Sequence, residues 1–329
     1  MSLHIAIYDF RLNPKLSDPV INALKERAEA GVKVRIAFDH GKPDAKTADP
    51  FLDSGSDPAP KGTKGFLEGL FNGTKVQTES IAGSKLMHNK YVIRDVNTPQ
   101  ATVLMGSANF TDGAWTFQDN NIVRITSPQL CTYYETDFQE LWVSGDIKST
   151  GVNDKGTVLV GHSKLEVAFS PGEGQTIDQI ISSLISSART RIKIASMVIT
   201  SHTILGALDD AIRHHQVKQF SGVYDATQMG AIVKKWKNSP NSEGIAATFE
   251  EIAAHLAGKK SAPYTPTGKH NFMHNKVVVC DDAVMTGSFN FSRSATQNAE
   301  NILVIHDKGL ADQYSEYIDQ LVAQYSHHN

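Results

Sequence analysis

The sequence predicts an α/β protein built from two fused copies of one unit, each a sheet of alternating strands and helices covered on both faces. Three observations predict it. The segment Met87-His88-Asn89-Lys90 recurs as Met273-His274-Asn275-Lys276. Gly106-Ser107-Ala108-Asn109-Phe110-Thr111 recurs as Gly287-Ser288-Phe289-Asn290-Phe291-Ser292. Around both copies, short apolar runs alternate with stretches of helical period.

The elements follow in order. Leu3 to Tyr8 reads as a strand, and Asp18-Pro19 as a helix cap with a first-turn proline. Val20, Ile21, Leu24 and Ala28 then form one stripe, closed by Gly31, and Val32 to Phe38 is the next strand. In the second copy, Ile192 to Ile199 is a strand, Ile204, Leu205, Leu208 and Ile212 are a helical stripe, and Phe220 to Tyr224 is a strand. Lys90 to Arg94 and Lys276 to Cys280 are short strands, followed by Thr102 to Met105 and Ala283 to Met285. Each copy closes with an amphipathic helix, one carrying Leu130, Tyr134, Phe138 and Leu141, the other Leu310, Tyr314, Tyr317, Ile318, Leu321 and Tyr325.

The first half is placed at residues 1–150 and the second at 151–329, with the Gly- and Ser-rich stretch Ser144 to Ser163 read as the linker. Asp39 precedes His88 by 49 residues, as Asp225 precedes His274. Asn109 to Asp119 is 10 residues, as is Asn290 to Glu300, and on that count Asp119 is matched with Glu300. His88 to Gly106 is 18 residues against 13 from His274 to Gly287, the surplus lying in a longer hairpin loop at Asn97-Thr98-Pro99-Gln100. The second half also opens with a strand, Lys164 to Phe169, a Ser170-Pro171-Gly172 turn, and a helix capped at Thr176 with Ile177, Ile180, Ile181, Leu184 and Ala188 as its stripe. Nothing comparable precedes Leu3, so the first half is expected to lack one strand and one helix, and an upstream segment with any export signal is expected in the natural protein.

Composition narrows the function. Of 329 residues, 40% are hydrophobic and 20% charged, and the net charge is -3, which disfavours a protein that coats nucleic acid by neutralising many phosphates. The two cysteines, Cys131 and Cys280, make no disulfide framework and no zinc spacing, and Cys280 reads as a small buried hydrophobe. No apolar run nears the ~20 residues that span a bilayer. Lys234-Lys235-Trp236-Lys237 reads as a solvated helix face, and His214-His215 and His327-His328 as helix C-terminal residues.

Each half carries His-x-Lys, four residues, Asp, then Gly-Ser-x-Asn. Residues i and i+2 of a strand share a face, so His88 with Lys90, and His274 with Lys276, point together into one cleft. Ser107, Asn109, Ser288 and Asn290 are expected to bind the phosphate. Lysines and amides stabilise charge on non-bridging oxygens, one histidine attacks phosphorus, and the other passes the proton. Asp119 and Glu300 are expected to orient the histidines through the far ring nitrogen. Asp95 and Asp281, at strand ends, are read as structural acids.

These motifs resemble those of the phospholipase D superfamily over essentially the whole chain. The resemblance implies an α/β/α sandwich in each half, related by a pseudo-two-fold axis, with the site at their interface. It implies a phosphohistidine intermediate, no metal or other cofactor, His88 as nucleophile and His274 as general acid and base. The superfamily includes phospholipases, phosphatidyl transferases and nucleases. The reading taken is a hydrolase of phospholipid head groups, with a nuclease as the alternative and a transferase or inactive binding module behind. The connections Gly41 to Ser84 and Gln228 to His270 are expected to form the rim, where Phe51, Phe66, Leu67, Leu70 and Phe71, and Ile232, Trp236, Ile245, Phe249, Leu256 and Tyr264 with the adjoining Phe272, either meet acyl chains or pack local cores. With both motifs in one chain, a monomer suffices for a complete site.

Overall fold

The computed structural model describes residues 1–41, 62–215, 217–265 and 270–326. The first half comprises β1 (Ser2–Ile7), β2 (Phe10–Arg11), α1 (Pro14–Glu29), β3 (Lys33–Asp39), α2 (Thr63–Phe71), β4 (Gln77–Ile81), β5 (Lys90–Arg94), β6 (Thr102–Gly106), β7 (Phe110–Thr111), α3 (Asp112–Thr116), β8 (Ile122–Thr126) and α4 (Pro128–Ser144). The second comprises β9 (Gly156–Val160), β10 (Ser163–Ser170), α5 (Gly174–Ser187), β11 (Arg191–Ser196), α6 (His202–Arg213), β12 (Gln219–Asp225), α7 (Ala226–Lys237), α8 (Glu243–Ala253), β13 (Ala257–Lys259), β14 (Lys276–Cys280), β15 (Ala283–Gly287), β16 (Glu300–His306) and α9 (Lys308–Ser326).

Each half contributes one mixed sheet. Among the described residues the first has the order β4-β3-β1-β5-β6-β8, and the second β13-β12-β11-β14-β15-β16-β10-β9. The first six strands of each list correspond: β1 and β3 are parallel as β11 and β12 are, and β5 and β14 run antiparallel to them. The second sheet then continues through β10 and β9, both antiparallel to their neighbours. β9 lies inside the stretch read as linker, because Val158 turns inward to bury its side chain while Leu159 faces solvent. The second sheet therefore exceeds the first by two strands rather than one, plus α5.

Helices cover both faces of each sheet. On the first, α1 and α2 bury Ile21, Leu24, Leu67 and Phe71 against Ile5, Ile7, Ile36 and Phe38. Its other face packs on α4, whose Leu130, Tyr134, Phe138 and Leu141 also meet Leu165, Phe169 and Leu303 of the second sheet. α4 thus lies between the sheets and ties the halves into one core. α9 occupies the matching position on the second sheet, against Ala195, Val223, Val277 and Val284, and α5, α6, α7 and α8 cover the remaining face. No helix among the described residues is long and apolar enough to cross a membrane.

Two helix starts differ from the sequence expectation. α1 begins at Pro14, with Asn13 accepting from the N–H of Leu16, so Pro19 lies inside the helix. α5 begins at Gly174 rather than near Thr176. Gly174 is required there, since a Cβ would stand 2.0 Å from the carbonyl oxygen of Thr296. The apolar residues of the two long connections pack local cores. Leu67 and Phe71 are buried with the α1 layer, and Ile232, Phe249, Leu256 and Phe272 are buried with the α6 layer, where Trp236, Ile245 and Tyr264 pack against them. Phe66 and Leu70 pack against the first of these cores. Among the described residues these side chains thus take the second of the two expected arrangements, packing local cores. Phe51 lies outside the described residues, as do His327 and His328.

Candidate active site

The motif strands β5 and β14 start at the sheet ends where the parallel strands finish. Asp39 closes β3 and Asp225 closes β12, and their Oδ2 atoms accept the N–H of Met87 (2.7 Å) and Met273 (3.0 Å), the residues before each histidine. The equal 49-residue spacing thus reflects a buried carboxylate fixing the backbone of each motif. Burial raises the Asp225 carboxyl above its ordinary range against the hydrogen bonds of Gln228, Ser261 and Met273.

Antiparallel pairing does the next step. β6 pairs with β5 so that Tyr91 meets Met105, which brings Gly106-Ser107-Ala108-Asn109 alongside His88-Asn89-Lys90. β15 and β14 repeat this, with Met285 opposite Val278. The glycines are needed for close approach: a Cβ on Gly106 would stand 2.2 Å from the Asn121 carbonyl oxygen, and one on Gly287 2.1 Å from that of Asn301. Within each motif the lysine turns back on its histidine. Lys90 Nζ donates to the His88 carbonyl at 2.7 Å and Lys276 Nζ to that of His274 at 2.8 Å. Both lysines and both histidines are buried.

Each histidine is held by the other half. His88 Nδ1 lies 2.7 Å from Glu300 Oε2, both side chains fully buried. His274 Nδ1 lies 2.9 Å from Asn120 Oδ1. Asn120 is itself fixed, since Oδ1 also accepts from Ser107 Oγ (2.8 Å) and Nδ2 donates to Ala114 O (3.2 Å) and Gln118 Oε1 (3.3 Å). With the amide oxygen facing the ring, His274 Nδ1 is a donor, which leaves Nε2 as the acceptor nitrogen of the neutral imidazole.

The matching of Asp119 with Glu300 is therefore off by one position. The N–H of Ser107 donates to Asn121 O and that of Ser288 to Asn301 O, so Asn120 is the counterpart of Glu300 and Asp119 of Ala299. Met87 bridges Ala299 and Met273 bridges Asp119 in the same way. A one-residue insertion after Asn109 makes the counts agree for the wrong residues; aligning Asn121-Ile122 with Asn301-Ile302 would have shown it. Asp119 turns away from His274, its Oδ2 accepting from Lys259 Nζ (2.8 Å) and Tyr325 Oη (2.9 Å).

The remaining candidates separate. Asn109 Oδ1 and both amide atoms of Asn290 are buried without a hydrogen-bond partner among the described residues. Ser107 Oγ accepts from the N–H of Asn121 and Ser288 Oγ from that of Asn301, so the serines brace the strands beside the motifs. Asp281 accepts from the N–H groups of Arg189, Thr190 and Arg191 and from Thr190 Oγ1, bonds that hold it below the usual carboxylate range. Asp95 accepts from the N–H of Ser2. Both acids sit at left-handed turn positions, φ 55° and 50°.

The sequence reading also passed over the middle residues of the motifs. Asn301 Nδ2 donates to Asn89 Oδ1 at 2.8 Å, and Asn121 Nδ2 to Asn275 Oδ1 at 3.0 Å, a matched pair of buried bonds across the two halves. Beside His88, the Tyr8 ring stands 4.6 Å away at 63° and lies under Lys90 Nζ at 4.9 Å.

A family model described as "Cardiolipin synthase, PLD-like domain" matches residues 1–142 and again 181–322. The chain belongs to the PLD-like family. Both matches include one His-x-Lys motif, so this PLD-like chain carries the unit twice and belongs with enzymes that act on phosphodiesters. A phospholipase D of Rickettsia bellii (strain RML369-C) is 32% identical over 157 residues, 47% of this chain and 67% of that protein. The crystal structure of phosphatidylserine synthase from Haemophilus influenzae Rd KW20 superposes with a TM-score of 0.65 over 98% of this chain and 81% of that one, at 12% identity. Polyphosphate kinase from Porphyromonas gingivalis superposes at 0.54 over 97% of this chain and 45% of that one, at 10% identity. Those two likenesses establish the PLD-like fold.

Proposed function

We propose that this chain is a phosphodiesterase that hydrolyses phospholipid head groups, with His88 as the residue that becomes phosphorylated and His274 as general acid and base. The observation that carries the reading is the difference in the histidines' partners. Attack by His88 Nε2 on phosphorus, with the Nδ1 proton retained, leaves a cationic ring, and the buried Glu300 carboxylate at 2.7 Å offsets that charge. His274 has a neutral amide instead, so no fixed counter-charge holds the proton that it must pass. In the first step the N–P bond forms, the bond to the leaving oxygen breaks, and His274 delivers its proton to that oxygen. In the second, His274 takes a proton from water, the water oxygen bonds phosphorus, and the N–P bond breaks to restore His88.

Buried amide atoms without partners cost roughly 1–3 kcal/mol each, which is offset when a non-bridging oxygen reaches them. Asn109 and Asn290 are therefore assigned to the phosphate, with Lys90 and Lys276 supplying charge. For the lipid, the support is the Rickettsia relative's name and the segment between Asn109 and Asn120, where Trp115 of α3 and Phe117 just after it are 40% and 44% exposed, apolar rings that suit a membrane–water interface.

The test offers the protein, in EDTA, phosphatidylcholine vesicles and single-stranded DNA in parallel. Choline release without DNA cleavage is expected. DNA cleavage without choline release would replace this reading with a nuclease, and activity lost in EDTA would remove the metal-free mechanism. His88→Asn should yield no acid-labile phosphoenzyme, whereas His274→Asn should form one with an activated diester.

A further inference from the structure

We infer that Tyr8 is a positioning residue that makes His88, rather than His274, the histidine that is phosphorylated; this rests on the reading of His88 given above. Tyr8 stands one residue beyond β1, and its N–H donates to the carbonyl of Asn89 at 3.0 Å. In the second half the corresponding N–H, donating to the carbonyl of Asn275 at 3.2 Å, belongs to Met197. The backbone positions are the same and the side chains are not. Tyr8 puts a buried aromatic ring against the His88 imidazole and, at 4.9 Å, under the Lys90 ammonium. Met197 brings a flexible thioether to its half, with no ring face to offer a cation.

Three consequences follow for His88. Its ring is fixed from two sides, by Glu300 at Nδ1 and by Tyr8 on the ring, so few orientations of Nε2 remain to be selected before attack. Lys90 is located between the His88 carbonyl and the Tyr8 ring, which places its charge on the same reacting phosphate. The phosphorylated ring is cationic, and an aromatic neighbour stabilises a cation where a thioether does so less. All three effects act on formation of the phosphoenzyme and leave ground-state binding of the diester largely untouched.

The experiment uses bis(4-nitrophenyl) phosphate and follows the pre-steady-state burst of 4-nitrophenolate, with the phosphoenzyme mapped to a histidine by peptide mass spectrometry. Tyr8→Met, which installs the second half's residue, should slow the burst at least tenfold with KM within twofold. Tyr8→Phe keeps the ring and should lose no more than about threefold. Tyr8→Phe is close to isosteric, so the test stands even where Tyr8→Met folds poorly. A burst for Tyr8→Met within twofold of the parent overturns the inference, as does Tyr8→Phe falling as far as Tyr8→Met. An adduct mapped to His274 overturns instead the assignment of His88 beneath it.

Discussion

Asp39 and Asp225 make the same bond in the two halves of the chain, each accepting the N–H of the methionine before a histidine, whereas Glu300 and Asn120 occupy matched positions and put different chemistry on the two rings. The shared features build the frame: the glycines, where a Cβ would stand 2.2 or 2.1 Å from a carbonyl oxygen, the lysines folded on their histidine carbonyls, and the amides that cross between halves. The differences are electrostatic and lie within contact of the imidazoles. Duplication supplied the frame twice, and on the proposed mechanism the carboxylate of Glu300 and the ring of Tyr8 beside His88 divide the labour between nucleophile and acid.

The largest expected effect comes from exchanging those partners. Glu300→Gln removes a charge-assisted bond from a fully buried ring, worth about 3–4 kcal/mol, so phosphoenzyme formation should fall about 10²–10³-fold in burst kinetics. Asn120→Asp adds a carboxylate at His274 Nδ1. It should cost about tenfold or less with an unactivated diester and move the alkaline limb of the kcat profile to higher pH, because a carboxylate favours the protonated ring. Equal losses in the two variants would mean that the halves are functionally equivalent despite their different partners.

A smaller difference is expected in stability. Asn121 Nδ2 donates to Asn275 Oδ1 at 3.0 Å, and its Oδ1 accepts from Thr286 Oγ1 at 2.6 Å and Tyr314 Oη at 3.1 Å. Asn301 makes one short bond of this kind, to Asn89 at 2.8 Å, and meets Tyr134 Oη and Ser288 Oγ only at 3.4 Å. Asn121→Ala should therefore destabilise by about 3 kcal/mol and Asn301→Ala by about 2 in urea unfolding. The reverse order would show that complete burial of Asn301 outweighs its poorer geometry.

How far the sequence carried this depends on which physical quantity each residue reports. The duplication, the motif strands and the flanking helices were legible because they repeat at periods of two and near 3.6 with matched landmarks. β9 was not, since Gly156 to Val160 buries one side chain at a sheet edge and reads like the Gly- and Ser-rich residues before it. The long connections left two readings open for a related reason: apolar composition marks burial without saying against what, and α2, α7 and α8 bury theirs in their own layers. Asp119 was chosen by counting, and a single inserted residue moved the partner of His274 to a neutral asparagine. Tyr8 carries no motif at all; its role depends on where β1 ends beside β5, which only the register supplies.

The last difference lies in the connection between the halves, where nothing is repeated. Asp154 is fully buried between α4 and β9, and neither carboxylate oxygen has a hydrogen-bond partner among the described residues. Burial first, then Glu140, and to a lesser degree Glu173, raise its carboxyl to about 7, against an ordinary value of 3.8. A folded-state value above the unfolded one means that the folded chain holds the proton more tightly. The stability from this group is therefore complete below the unfolded value and is lost as pH rises through about 7. The step from 3.8 to about 7 sets a ceiling of about 4 kcal/mol, and the amide of Asp154→Asn must find partners for its own N–H groups, so a gain of about 1–3 kcal/mol is expected at pH 8. At pH 4 the variant should match the parent within about 0.5 kcal/mol, since Asp154 is then largely protonated when folded. Thermal unfolding of both proteins at the two pH values checks this, and a variant less stable at pH 8 would mean that the carboxylate is solvated in the joint between the halves.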